Sequence, residues 1–434
     1  MTVLADRHLV LVNQGFRQIF LADVLSQAGS QVVLIGLPLV ALVAVDASAF
    51  EAAVLAACGT LPLPVVGLFA GAWVDRVRRR TVMISADVGR AVLLSTVPFA
   101  WWFADVTMIH LYLVALGAGV LTVFFDVAYQ SSLPQLVPRE RLVEGNAALQ
   151  TVYSVAQTTG PGLTGLLVQW FTAPFALVAA VVGYLWSAAC VSLISVREIV
   201  AERSARRNLG REIGEGVRFL LGHRLLRFMM ACSASLNFFG GLGAPMLMVL
   251  LVQDLRVSVG TIGVLFTFTG LGGVVGGLLV SRVMRAFGQG PGICLAAAMF
   301  GVPPLLIPLA GQGWRLWLVA AALFAGSVGR VVYNVSVVSF RQAATPPALL
   351  GRVSATGRVL LAGTVPLSNL LGGVLASVAG PRPVLWVAGA GAALSFAWVY
   401  FSPLRSMREL PMPDVATSAE PENVPTLSTA EVKR

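Results

Sequence analysis

The sequence predicts an all-α polytopic membrane protein of twelve transmembrane helices, built as two pseudo-symmetric six-helix halves. Three observations predict it. Of 434 residues, 57% are hydrophobic and only 12% charged, with a mean hydropathy of +0.83. So few charged side chains would not cover that much apolar surface in water, and lipid is the natural solvent. Apolar runs of about 20 residues, enough to cross a hydrocarbon core as a helix, recur along the whole chain. Finally, the sequence matches itself when displaced by about half of its apolar length.

Apolar runs and breakers place span starts near Phe16, Phe50, Thr81, Thr107, Ala147, Ala173, Leu225, Gly260, Gly290, Trp314, Val353 and Val384, with the last span ending near Phe401. The chain then divides into an N-terminal stretch (1–15), a six-helix half (16–195), a charged central loop (196–224), a second six-helix half (225–403) and a tail (404–434). The tail is rich in Pro, Ser, Thr and Glu without an apolar period, a composition that predicts disorder. Residues 211–221 of the central loop place apolar side chains at helical spacing, as a helix lying on the membrane surface would.

Arginines set the orientation. One set of alternate connections holds Arg76, Arg78, Arg79 and Arg80, then Arg139 and Arg141, the stretch from Arg197 to Arg224, Arg282 and Arg285, and Arg341 and Arg352. The opposite set holds Arg256, Arg315 and Arg382. The positive-inside rule puts the first set, and both termini, in the cytoplasm. A bacterial inner membrane is the expected location, because arginine replaces lysine everywhere but Lys433, as in a GC-rich genome.

The duplication is explicit. At an offset of 206, GLFAGAWVDRVRRR (67–80) falls on GVVGGLLVSRVMRA (273–286), aligning Gly67, Gly71, Arg76 and Arg79 with Gly273, Gly277, Arg282 and Arg285. At 208, FDVAYQSSLPQLVPRERL falls on YNVSVVSFRQAATPPALL, with Pro138 on Pro346. Six-span repeats with a substrate site at their interface are a transporter architecture.

Other classes are excluded by what is missing. Cys58, Cys190, Cys232 and Cys294 lie inside apolar runs with no short spacing, and His8, His110 and His223 are scattered, so no disulfide or metal site is expected. The first apolar run continues to about Val45, too long for a cleaved signal. The net charge of +10 sits in short loops between spans, which argues against nucleic-acid binding. A Walker A loop needs a lysine, and the only one is Lys433 in the tail. Neither a His–carboxylate cluster nor a nucleophile elbow stands in the spans, so no enzyme is expected. Expected partners are lipid, a small-molecule substrate and protons. No cofactor, nucleic acid or ATP is expected, the energy source is a proton gradient, and the chain acts as a monomer.

GAWVDRVRRRT (71–81) carries five charges in the six residues from Asp75 to Arg80. It reads either as a basic cytoplasmic anchor or as a latch. Gly67 and Gly71 stand at GxxxG spacing, where a helix end approaches a neighbour closely. Asp75 follows one turn later, placed to cap a neighbouring helix N-terminus. Arg79, a further turn along, is placed to pair with an acid.

Gly71 to Arg80 resembles the loop 2–3 signature of the major facilitator superfamily, with Arg78 where the family pattern has Gly. The second copy has Ser281 in place of Asp75. Residues 125–167 and 349–376 are similar to its macrolide-efflux and enterobactin-exporter branch. The resemblance implies a latch of Gly71, Asp75, Arg76, Arg79, Asp126 and Arg352. In it Asp75 caps span 11 near Gly351 and Arg352, and Arg79 pairs with Asp126. Gly160, Pro161 and Gly165 resemble the span-5 signature associated with antiporters, with Ala156 where the family often has Gly. The span-4 arginine of many drug–proton antiporters is absent from 107–125.

Proton-carrier candidates are the acids inside spans: Asp23, Asp87 and Asp126. Asp87 lies one turn from Arg90 and reads also as a local ion pair at the cytoplasmic end. Asp126 reads also as part of the latch. Asp23, with Ser26 and Gln27 beside it, reads as an unpaired carboxylate or as water-lined structural polarity. Candidate cavity residues are Gln31, Asn237, Phe238, Arg330, Asn334 and Asn369. Arg358 reads as a side chain snorkelling to the cytoplasm, and Trp101 and Trp102 as an aromatic belt. The resulting expectation is proton-coupled efflux of a hydrophobic or amphipathic small molecule by alternating access. The alternatives are export of a siderophore or other endogenous metabolite and, ranked lower, a non-transporting sensor or scaffold.

Overall fold

A computed structural model describes residues 13–74, 76–103, 105–138, 141–194 and 209–407. The first half comprises α1 (Gln14–Leu39), α2 (Ala49–Thr60) with α3 (Pro62–Val74) as one broken span, α4 (Arg79–Phe103), α5 (Met108–Leu136), α6 (Leu142–Phe171) and α7 (Ala173–Ser192). A short helix, α8 (Leu209–Gly222), precedes the second half. That half holds α9 (Arg224–Val249), α10 (Val259–Phe287), α11 (Gln289–Gly301), α12 (Trp317–Ala344), α13 (Pro347–Ala379) and α14 (Pro381–Ser395).

Among the described residues, eleven of the twelve helical spans are long and apolar enough to cross a membrane by length and composition alone. The twelfth, α6, has the length, at 30 residues, but carries many hydroxyl and amide side chains. The helix absorbs several of them. Ser154, Thr158, Thr159 and Thr164 donate to the carbonyls of Gln150, Ser154, Val155 and Gly160, four residues back, so little polarity is left unpaired in lipid.

The duplication is visible in fine detail. α1 ends in a π turn over Val40–Ala44 and α9 in one over Leu250–Asp254. Each is followed by a non-glycine residue in the left-handed region, Asp46 (φ 55) and Arg256 (φ 49). Ser48 and Ser258 then cap the next helices by accepting from the Glu51 and Thr261 amides. A backbone kink this uncommon, occurring twice at equivalent places, marks two copies of one design.

The two faces of the bundle differ. Buried apolar side chains form three clusters. The first joins the halves, with Leu39, Leu42, Leu94 and Leu177 beside Leu250, Leu251, Ile262 and Val319. The others stay within one half each: Met229, Ile293, Tyr333 and Val353 in the second half, and Phe16, Met83, Phe125 and Leu133 in the first. The halves therefore share a core on the face carrying the 45–48 and 255–258 connections, and part toward the face carrying Arg76 to Arg80. Hydrogen bonds across the joined face run from Gln253 Nε2 to the Ala47 carbonyl (2.8 Å) and from Asn369 Nδ2 to Thr60 Oγ1 (3.3 Å).

Glycine decides how closely the halves meet. Where α6 crosses α10, a Cβ on Gly165 would fall 2.8 Å from the Gly263 Cα, and one on Gly263 would fall 2.8 Å from the Pro161 carbonyl oxygen. Pro161 offers no N–H to the Gln157 carbonyl. That carbonyl lies against Gly270, 2.6 Å from where a Cβ would stand. Replacing Gly263 by Val must push the helices apart at a cost of about 1–3 kcal/mol. Spin labels on the 45–48 and 255–258 connections should then report a population at longer distance. An unchanged distance distribution would show that this crossing does not hold the joined face.

Candidate functional site

The most polar part of the interior belongs to the first half and centres on Arg90. On α4, Asp87 and Arg90 are one turn apart and ion-paired, with Arg90 Nη2 donating to Asp87 Oδ1. Neither is exposed beyond 1%. Arg90 stands 11 residues beyond Arg79, roughly 16 Å along the helix. The pair is therefore buried mid-bundle and not at the cytoplasmic end, as the sequence suggested. The guanidinium lies between two rings, 4.5 Å from the centroid of Phe125 on α5 and 4.2 Å from that of Tyr184 on α7. Away from water each such contact is worth up to about 2 kcal/mol. Arg90 also reaches Thr122 (3.4 Å), and the Tyr184 hydroxyl meets Ser30 on α1 (3.1 Å). One cation thus gathers α1, α4, α5 and α7.

Asp23 and Asp126 lie beside this network. Asp23 is 2% exposed and accepts from Gln27 Nε2 at 3.1 Å, and the Tyr129 phenol is beside it. It is not the unpaired carboxylate that its sequence neighbours suggested. Asp126 is the opposite case. It is exposed, although it stands roughly 15 Å in from the Leu136 end of α5. Among the described residues it makes no hydrogen bond or ion pair. The cations acting on it are Arg90 from its own half and Arg358 from α13 of the other, and Asp23 and Asp126 also feel one another. Arg358 is itself exposed and lies near enough for its charge to bear on Asp126 from the other half. The wedge left open between the halves reaches this depth, with opposite charges on its two walls and neither in contact.

Several expected groupings are not formed. Arg79 donates to the Ser131 carbonyl at 2.9 Å and makes no ion pair with Asp126, which lies more than one helical turn deeper. Arg352 pairs with Glu215 of α8 at 2.5 Å. Gly71 and Gly351 each face open space, while a Cβ on Gly67 would meet Val123 of α5 at an ordinary 4.0 Å, so the close approach expected of the pair is not made at Gly71. Arg76 is exposed in the turn after α3, and Asp75 lies outside the described residues.

Among the cavity candidates, Gln31 is 4% exposed and packed under Gly160, where a Cβ would lie 2.6 Å from its side chain. Asn369 is the clasp to Thr60 already described, so both belong to helix contacts. Asn237 is half-buried and bonds its own helix at the Ser233 carbonyl, and Phe238 stands edge-on to Phe239 at the margin of the shared core. Arg330 is half-buried and Asn334 exposed on α12. Gly160, Pro161 and Gly165 lie on α6, the latter two at the crossing with α10. Sequence reasoning missed Phe125, Tyr129 and Tyr184. Phe125 and Tyr129 flank Asp126 on α5 and stack at 5.9 Å, and aromatics one turn apart around an intramembrane acid were a legible signal. Tyr184 sits in an ordinary apolar run and gave none.

This geometry, two duplicated halves meeting along one face with charges on the walls between them, can be compared with known proteins. Residues 8–430 match the family described as "Transmembrane secretion effector", an MFS family. The chain belongs to the major facilitator superfamily. It is 29% identical over 392 residues to "Multidrug efflux pump Tap" of Mycolicibacterium fortuitum, covering 83% of this chain and 89% of that one. Its fold matches a bacterial homologue of the iron transporter ferroportin in the inward-facing state, at a TM-score of 0.72 and 15% identity over 89% of this chain and 98% of that one. A bacterial homologue of ferroportin in the outward-facing state matches at a TM-score of 0.59 and 16% identity, with the same coverage. The chain is a multi-pass membrane transporter, not an enzyme.

Burial makes the Asp87–Arg90 pair costly to halve. Arg90→Gln leaves the carboxylate buried without its cation and should cost about 3–5 kcal/mol, read as a lower melting temperature of the detergent-purified protein. Adding Asp87→Asn should recover much of that loss. Equal melting of the single variant and wild type would remove Arg90 from the centre of the fold.

Proposed function

We propose that this transporter is a proton-coupled exporter of hydrophobic or amphipathic small molecules in the bacterial inner membrane, with its wedge opening to the cytoplasm. The orientation follows from the arginine-rich connections, which lie on the open face. The family membership supports transport, and the multidrug efflux pump among the relatives supports the substrate class. The single observation that carries the coupling is Asp126, exposed on one wall of the wedge with Arg90 buried behind it in the same half and Arg358 on the other half.

Ionised Asp126 attracts Arg358 and draws the open face shut, carrying substrate to the outer side. A proton arriving from outside cancels that attraction, and the wedge reopens to the cytoplasm. Asp23, buried behind Asp126 and held by Gln27, relays the proton when the wedge is shut. Closure also brings the Gly71 end of α3 toward Gly351 of α13, so the latch of Gly71, Asp75, Arg76, Arg79 and Arg352 engages in the outward-facing state.

A second reading is export of a siderophore or other endogenous anionic metabolite. It is favoured by Arg358, exposed on the wedge wall without an ion pair among the described residues, and by Arg341 within its electrostatic reach.

Lipophilic dye transport into energised inverted vesicles tests both. Wild type should pump and stop on addition of a protonophore, and Asp126→Asn should pump at least an order of magnitude more slowly. Protonophore-sensitive pumping by Asp126→Asn at the wild-type rate would end the coupling role of Asp126. If wild type moves no dye but moves a ferric-chelating metabolite, the second reading replaces the first.

A further inference from the structure

Away from the wedge, a cavity of about 420 Å³ opens where the start of α9 meets the chain after α14. Arg224, Arg227 and Arg405 line it, with Phe228, Tyr400 and Phe401. Arg227 lies over the Phe228 ring at 5.2 Å, and Arg405 over the Tyr400 ring at 5.1 Å. All three arginines are exposed. Among the described residues none of them has a carboxylate partner or a side-chain hydrogen bond. Three guanidinium groups around one cavity repel each other, and an anion placed among them relieves that repulsion.

The surroundings say which anion. The cavity lies at the end of two spans on the arginine-rich open face, where a phospholipid headgroup layer begins. Leu394 (70% exposed), Trp398 (48%) and Phe401 (80%) follow at intervals of four and three residues across the end of α14 and the single helical turn after it, an exposed apolar strip leading from the cavity along the last span. The Trp398 indole is fixed by its N–H bond to Ser235 of α9 at 3.1 Å. A phosphate pocket thus continues into an apolar strip that suits an acyl chain, as in basic pockets between spans that hold anionic headgroups.

We propose that this cavity binds the phosphodiester headgroup of an anionic phospholipid, with one acyl chain along the Leu394–Trp398–Phe401 strip. Arg227 and Arg405 are held in place by their aromatic partners, and Arg224 closes the third side. This site is separate from the transport machinery, and its occupancy is readable without any flux measurement.

Native mass spectrometry of the purified full-length protein, titrated with phosphatidylglycerol or phosphatidylcholine, tests the proposal. Wild type should hold phosphatidylglycerol at least tenfold more tightly than phosphatidylcholine. Each arginine near the surface contributes about a fivefold change. Arg405→Gln should therefore weaken phosphatidylglycerol about fivefold, and Arg224→Gln/Arg227→Gln/Arg405→Gln should abolish the preference. Should the triple variant fail to fold, the single variant decides. Unchanged preference in Arg405→Gln overturns the site. Inorganic phosphate or glycerol phosphate binding as tightly as the lipid would make it a free-anion site and also overturn the proposal. Deleting 408–434, which carries Glu409, Asp414, Glu420, Glu422 and Glu431, should leave the preference unchanged. A large gain on deletion would show that the tail fills the cavity in the intact protein and would overturn the lipid as its occupant there.

Discussion

The distance at which α6 crosses α10 governs the rest of the molecule. Gly165 and Gly263 let two backbones come so close that neither has room for a Cβ. With the helices touching there, the apolar side chains of both halves merge into one core on that face. On the other face each half keeps a core of its own, and a wedge must remain between them. Asp126 and Arg358 are exposed because of that wedge, although both stand well within the thickness of the bundle. In a membrane, where burial of apolar surface contributes little to helix association, such close van der Waals contact is what holds helices together.

The two halves share a backbone but not a chemistry. Asp23 corresponds to Ser233 at the 210-residue offset of the π turns, and Phe125 to Tyr333 at the 208-residue offset of the sequence match. In the second half the Tyr333 hydroxyl meets Ser233 (3.1 Å) and donates to the Met229 carbonyl (3.0 Å), a neutral arrangement completed without an acid. In the first half the equivalent region holds Asp23, Asp87, Arg90 and Asp126. Charge in lipid is expensive and persists where it is used; the first half carries it as three acids and Arg90, and the second half as arginines, Arg358 among them.

Much of this was legible in the sequence. Apolar runs and Gly/Pro breakers located the spans to within a few residues, since membrane thickness fixes their length. The i, i+3 spacing of Asp87 and Arg90 gave their pairing. What the sequence did not disclose is which way each span is rotated. A helix that is apolar all round carries no stripe to orient it. Gln31 therefore read as a cavity side chain when it lies under Gly160, and Asn369 read as substrate-facing when it clasps Thr60. The rings around Arg90 come from helices 35 and 94 residues further along the chain, a proximity that only the completed bundle creates.

A body joined along one face and parted along the other occupies unequal area in the two leaflets of a bilayer. Closing the wedge shifts that inequality, so the change does mechanical work against the lateral pressure of the surrounding acyl chains and headgroups. Lipids that raise curvature stress in one leaflet therefore enter the energetics of closing the wedge directly, without touching any particular side chain.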